Sequence, residues 1–176
     1  MKILSQSKAL EQLKALKADL RTQVASFEHR AQPCATCNTP GACCLDEHFV
    51  NVRISRLEAV AITNVLDQLP AIRRAAVQER IANAASQLLK RADDHTPTFA
   101  CPLYEKNTGC LVHHEAKPVP CIIHACYERQ EDLPPDALQN VAELAIDRLN
   151  DRTYGKSTPL APLPIALFKL RLTADR

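Results

Sequence analysis

The chain has 176 residues, enough for one domain with a core of its own, and its formal net charge of +2 supplies little field for drawing nucleic acid or an anionic membrane as the main partner. Eight cysteines, three glycines and no tryptophan, set among residues dominated by alanine, leucine, glutamine, arginine and glutamate, describe a helical chain with thiols embedded in it. With so few glycines there is no GxGxxG or GxxxxGKS/T string, which disfavours the common nucleotide-binding enzymes.

The opening MKILSQSKAL carries no apolar run long enough for a signal peptide, and no stretch approaches the roughly 18 consecutive apolar residues of a membrane helix. The expectation is a cytoplasmic protein without a membrane partner. Thiols stay reduced there, so the cysteines are expected to be metal ligands or catalytic groups rather than a disulfide framework. From Leu4 to His29, apolar residues at Leu10, Leu13, Leu16, Leu20, Val24 and Phe27 recur every three or four positions and predict one long amphipathic helix, ending before Pro33. QPCATCNTPGACC follows as a loop, with Pro40 and Gly41 placed for a tight reversal. FVNVRI, residues 49–54, reads as a short strand or an extended segment.

Ser55 followed by Glu58 carries the signature of a capping box, opening RLEAVAITNVLDQL as a helix that stops before Pro70. Pro70 suits the first turn of the next helix, in which Ile72, Ala76, Ile81, Ala85, Leu88 and Leu89 are the candidates for burial. Residues 93–133 contain Pro97, Pro102, Gly109, Pro118 and Pro120 and read as mostly loop. PDALQNVAELAIDRLNDRT, residues 135–153, is a further amphipathic helix ended near Gly155, and IALFKLRL in the tail suits either a strand or a short helix. The expected fold class is mainly α: a single small helical domain over 1–176, in which two cysteine-rich irregular loops converge on a metal centre. Its parts are an N-terminal helix in 1–32, a cysteine-cluster region in 33–127, and a C-terminal helix and tail in 128–176.

In sequence the cysteines form two groups of four: Cys34, Cys37, Cys43 and Cys44, then Cys101, Cys110, Cys121 and Cys126. Cys34-x-x-Cys37 has the spacing at which two thiolates close on one metal while the chain curls beneath it. Cys43 and Cys44 pose a different problem, because neighbouring side chains diverge by about 100° on a helix and about 180° on a strand. Such a pair sits most easily on two metal atoms, either of one cluster or of two nearby sites. In the second group, Cys101 precedes Pro102, Cys110 follows Gly109 and Cys121 follows Pro120, so each thiol is flanked by a rigid or a permissive residue. Soft sulfur ligands suit zinc or iron–sulfur clusters and not Mg²⁺ or Ca²⁺. His124, three residues after Cys121, and His113 are further candidate ligands; with eight cysteines already sufficient for two four-ligand sites, the simpler roles for His113, His114 and His124 lie around the metal rather than on it.

CATCNTPGACC, FVNVRISRLEAVAI, CPLYEKNTGC and KPVPC together resemble the bacterial CxxCxxCC, or YkgJ-like, family of zinc- or iron-chelating proteins, often described as iron–sulfur proteins; the resemblance spans about residues 33–127. It implies metal binding by the eight cysteines, with an iron–sulfur cluster preferred and zinc the alternative. Electron transfer, redox sensing or metal handling would be the use, with a redox or protein partner. Three departures stand out: five residues separate Cys37 from Cys43, Lys117 stands where arginine is usual, and Ile122 follows Cys121 where arginine is common. They leave metal binding as the expectation and put in doubt any function that needs the family's arginines. Two other readings remain open. One is a metal-dependent group-transfer enzyme, like the flagellin lysine-methylating members, with Glu115, Glu105 or Tyr104 as acid–base groups. The other is a zinc-structured adaptor with Arg73-Arg74 and Lys90-Arg91 as a basic patch for a partner.

Overall fold

Ser5 caps the first helix, its hydroxyl accepting a hydrogen bond from the Lys8 N–H at 3.4 Å, and α1 then runs over Gln6–Glu28. The structure is a computed structural model that describes residues 3–32, 39–45, 50–91, 98–127, 129–155 and 159–174. The buried stripe of α1 is Ala9, Leu13, Lys17, Leu20 and Val24, whereas Leu10, Leu16 and Phe27 are only half-buried. The expected period is present, but the buried face is shifted from Leu10 and Leu16 toward Ala9 and Lys17, the lysine buried to 3 % exposure along its four-carbon stem. α1 packs along α6 (Asp136–Tyr154) and against the short α5 (Val119–Ile123), and α5 packs on α6. At its start, the Leu4 N–H donates to the Arg152 carbonyl at 2.9 Å and the Tyr154 hydroxyl donates to Gln6 at 3.0 Å. Beyond its end, β1 (Ala31–Gln32) pairs antiparallel with β5 (Cys126–Tyr127), Gln32 opposite Cys126. Gly155 closes α6 in the left-handed region at φ 77°, as its sequence position predicts. These elements form one compact unit, Met1–Pro40 with Lys117–Thr158.

The other compact unit comprises Gly41–Ala116 with Pro159–Arg176. Its capping box forms in full: the Glu58 N–H donates to Ser55 Oγ at 3.2 Å, the Ser55 N–H donates to Glu58 Oε2 at 3.2 Å, and α3 follows over Arg56–Asp67. Pro70 stands one place before its helix, as the cap of α4 (Ala71–Lys90), rather than inside the first turn. The buried line of α4 is Val77, Ile81, Ala85 and Leu88. Ile72 is 88 % exposed and Leu89 52 %. At about 100° per residue, Ile72, Ala76 and Leu89 all fall off the line through Val77 and Leu88. The undecided tail segment is a helix, α7 (Leu163–Ala174), which packs on both α3 and α4. Pro164 lies in its first turn, where a missing N–H leaves no helical bond unmade.

Just ahead of α7, β6 (Ala161–Pro162) pairs antiparallel with β2 (Arg53–Ile54), so the extended reading of FVNVRI survives at 53–54, residue 49 lying outside the described residues. Leu163 and Leu167 join Ile54, Ile62, Val77 and Ile81 in one apolar core. Among the described residues the secondary structure is mainly helical, with seven helices and three two-residue strand pairings. No described helix is long and apolar enough to cross a membrane. The capping box gives a direct test of this scaffold. Ser55→Ala is expected to lower the unfolding free energy by about 1 kcal/mol, measured by urea denaturation with the slope unchanged.

Candidate metal centre

Gly41 starts the first thiol-bearing segment of the second unit. It adopts φ 77°, and the end of the Tyr104 ring lies so close to its Cα that a Cβ would collide with it. The Gly41 carbonyl accepts hydrogen bonds from the N–H groups of Cys44, at 2.9 Å, and Leu45, at 3.0 Å, which winds the single turn α2 (Ala42–Leu45). Cys43 and Cys44 are carried on that turn, and the expected reversal at Pro40-Gly41 is what delivers them.

The second segment reaches the same place from far along the chain. The Cys101 N–H donates to the Cys44 carbonyl at 2.7 Å, and the Phe99 N–H donates to the Val50 carbonyl at 2.9 Å. After Cys101 the chain forms a small hairpin of β3 (Tyr104–Glu105) and β4 (Gly109–Cys110), with Tyr104 opposite Cys110. Its turn uses Asn107 at φ 67° and Gly109 at φ 93°, two residue types that tolerate the left-handed region. Leu103 and Val112, each 1 % exposed, fix the hairpin in the apolar core.

Cys43, Cys44, Cys101 and Cys110 thereby share one neighbourhood. Burial pushes the Cys44 thiol up to about 12, with further upward pushes from the charges of Cys43, Cys101 and Cys110 and from a hydrogen bond with Cys43. Among the described residues, no group of three or more His, Cys, Asp or Glu side chains stands ready to hold an ion. The two observations differ in range. Charges act over many ångströms, whereas a tetrahedral zinc with bonds of about 2.3 Å needs its sulfurs roughly 3.8 Å apart. The six described cysteines are half-buried thiols, not half-cystines. Cys101 also lines a cleft of about 260 Å³ whose walls include Leu45, Arg80, Gln87, Phe99 and Tyr104.

The other candidates are placed as follows. Cys121 lies on α5 and Cys126 on β5, both in the first unit, so the second sequence group of four is divided between the units. Cys34 and Cys37 lie outside the described residues. His124 follows α5 directly; burial of its ring and, less strongly, the charge of Lys117 push its pKa below the ordinary value, although the residue as a whole is exposed. His113 donates its N–H to the Cys110 carbonyl at 3.2 Å and stacks edge-on against His114, the ring centres 4.9 Å apart; both side chains are exposed.

The candidate acid Glu105 is held by two arginines. Its Oε2 accepts from Arg73 Nε at 2.8 Å, with the Arg73 NH2 group also 2.8 Å away, and its Oε1 accepts from Arg80 at 3.0 Å. Burial pushes the Glu105 pKa up, and the hydrogen bonds and charges of Arg73 and Arg80 together outweigh that push, so the pKa falls below the ordinary carboxylate value. Arg73, a member of the basic patch expected of an adaptor, is therefore paired with an acid, and its neighbour Arg74 donates to the Asp67 carbonyl at 3.0 Å. Sequence reasoning did not find this bridge; the only hint was a lone acid inside a cysteine loop. No family model, curated protein or solved structure matches the chain.

Two outcomes follow for metal-free protein. Gly41→Ala combines left-handed strain with the Tyr104 collision and is expected to cost at least about 1–3 kcal/mol in urea denaturation. A glutamate whose folded pKa is lowered adds stability that is present above its unfolded pKa of 4.5 and is lost as pH falls through the folded value. The Tm gap between the parent and Glu105→Gln should accordingly be widest above pH 4.5 and close as the solution is acidified further.

Proposed function

We propose that the chain is a metal-binding protein whose cysteine-rich loops converge on a soft-metal centre, an iron–sulfur cluster by preference and zinc as the alternative, serving electron transfer, redox sensing or metal handling. The observation that carries this reading is the neighbourhood of Cys44, where Cys43, Cys101 and Cys110 come within electrostatic range. Thiolates gathered in this way repel one another, and a bound cation turns that repulsion into ligation. The donor set fits the group, since sulfur ligands suit iron–sulfur clusters and zinc.

Cys43, Cys44, Cys101 and Cys110 are the ligands supplied by the second unit. Because Cys43 and Cys44 are consecutive on α2, their sulfurs leave the turn about 100° apart, which favours a centre with more than one metal atom. Cys34, Cys37, Cys121 and Cys126 are the further candidate ligands by the YkgJ-like spacing of the sequence, and His113 and His124 serve around the metal rather than on it. An iron–sulfur cluster supplies one-electron chemistry when bound. The protein's part is to place the sulfurs and to leave Cys101 bordering a cleft through which a partner or small molecule approaches.

Protein purified without oxygen should contain stoichiometric iron with acid-labile sulfide, and be brown, or stoichiometric zinc, and be colourless. Cys44→Ser and Cys101→Ser should each weaken metal retention against a chelator by at least about 10-fold, since even partners outside the ligand set cost that much. Parent protein without metal, or both variants retaining it as the parent does, would refute the proposal.

A further inference from the structure

We infer that the Arg73–Glu105–Arg80 bridge is a positioning device for the thiol site, setting the height of the Cys101–Cys110 hairpin on α4 and through it the affinity for metal; the inference rests on the metal-binding reading above. Arg73 and Arg80 are seven residues apart on α4, so they lie on nearly the same face, two turns from each other, and reach one carboxylate from both sides. Glu105 lies in β3, whose neighbour Tyr104 is in register with Cys110. Arg80 makes a second attachment, its Nε donating to the Pro102 carbonyl at 3.0 Å, one residue after Cys101. Cys101 is thus one residue from a group tied to α4, and Cys110 is one residue and one cross-strand step from another.

The bridge is partly shielded: the Glu105 side chain is 18 % exposed and the arginines 37 % and 36 %. Two of the contacts form a fork between Arg73 and one carboxylate oxygen, a geometry with directional preference as well as charge. Groups that orient ligands from outside the coordination sphere typically change metal affinity 10–100-fold when removed.

Electrostatics alone predicts the opposite sign. Removing Glu105 deletes a negative charge and leaves two guanidinium groups without their carboxylate, which should favour an anionic sulfur centre and tighten metal binding. Positioning predicts weaker binding. The discriminating measurement is zinc affinity of the full-length, metal-stripped chain by chelator competition, with the Co²⁺ absorption spectrum as a report of ligand geometry and circular dichroism as a check of folding.

Glu105→Ala should bind zinc roughly 10–100-fold more weakly with an altered Co²⁺ spectrum. Glu105→Gln, which keeps the shape and one acceptor, should fall between it and the parent and serves as the test if the alanine variant does not fold. Glu79→Gln removes an exposed carboxylate from the same helix without touching the bridge and should leave affinity unchanged. Unchanged or tighter binding in folded Glu105 variants overturns the inference while leaving the metal-binding reading intact. A parent protein that takes up no metal overturns both.

Discussion

A single backbone hydrogen bond, from the Cys101 N–H to the Cys44 carbonyl at 2.7 Å, is the constraint on which the thiol neighbourhood depends. It joins two stretches that are remote in sequence, and it does so through main-chain atoms whose pairing is indifferent to whether a thiol is protonated, ionised or ligated. The alternative, holding four sulfurs together by their own attraction, is not open to them: burial and the neighbouring thiols drive Cys44 strongly toward its neutral form. Apolar packing therefore has to supply the proximity. Leu103 and Val112 on the hairpin, and Phe99 before it, are the buried anchors that keep the donor in place.

α4 links scaffold to site by using two faces for two purposes. Val77, Ile81, Ala85 and Leu88 face the core, and α7 closes over the same helix. Arg73 and Arg80 lie off that line and hold the carboxylate of Glu105. A helix fixed by several buried side chains makes a stiffer reference for a loop than another loop would. Consistent with this, the second-unit thiols sit on one helical turn, one short hairpin and the segment leading into it, all too small to stand without a larger body behind them.

The parts of the fold that were legible in the sequence are those fixed by local chemistry. The capping box at Ser55 and Glu58, the glycine stop at Gly155 and the long first helix each follow from interactions within a few residues. α7 was undecided because its strongly apolar sequence has little periodicity, and contact with α3 and α4 settles it. α5 was read as loop because Pro118 and Pro120 dominate the segment, yet a proline in the first turn of a helix is well tolerated. The cysteines were recognisable as a set, but their distribution between the units was not, since it depends on which segments of chain pack together. The Glu105 bridge left no trace in sequence for the same reason: its partners lie 32 and 25 residues away.

The interleaved build of the two units has a consequence for biosynthesis. Every cysteine of the second unit is translated before α7, the helix that supplies Leu163 and Leu167 to its core. At about 5–20 residues per second, a ribosome delivers Leu163 only some seconds after Cys110. During that interval the nascent thiols lack the finished scaffold that spaces them, and the first unit receives its last segment before the second does. Assembly of the second unit is thereby tied to the synthesis of α7, and its thiols take up their final spacing only once that helix has been made.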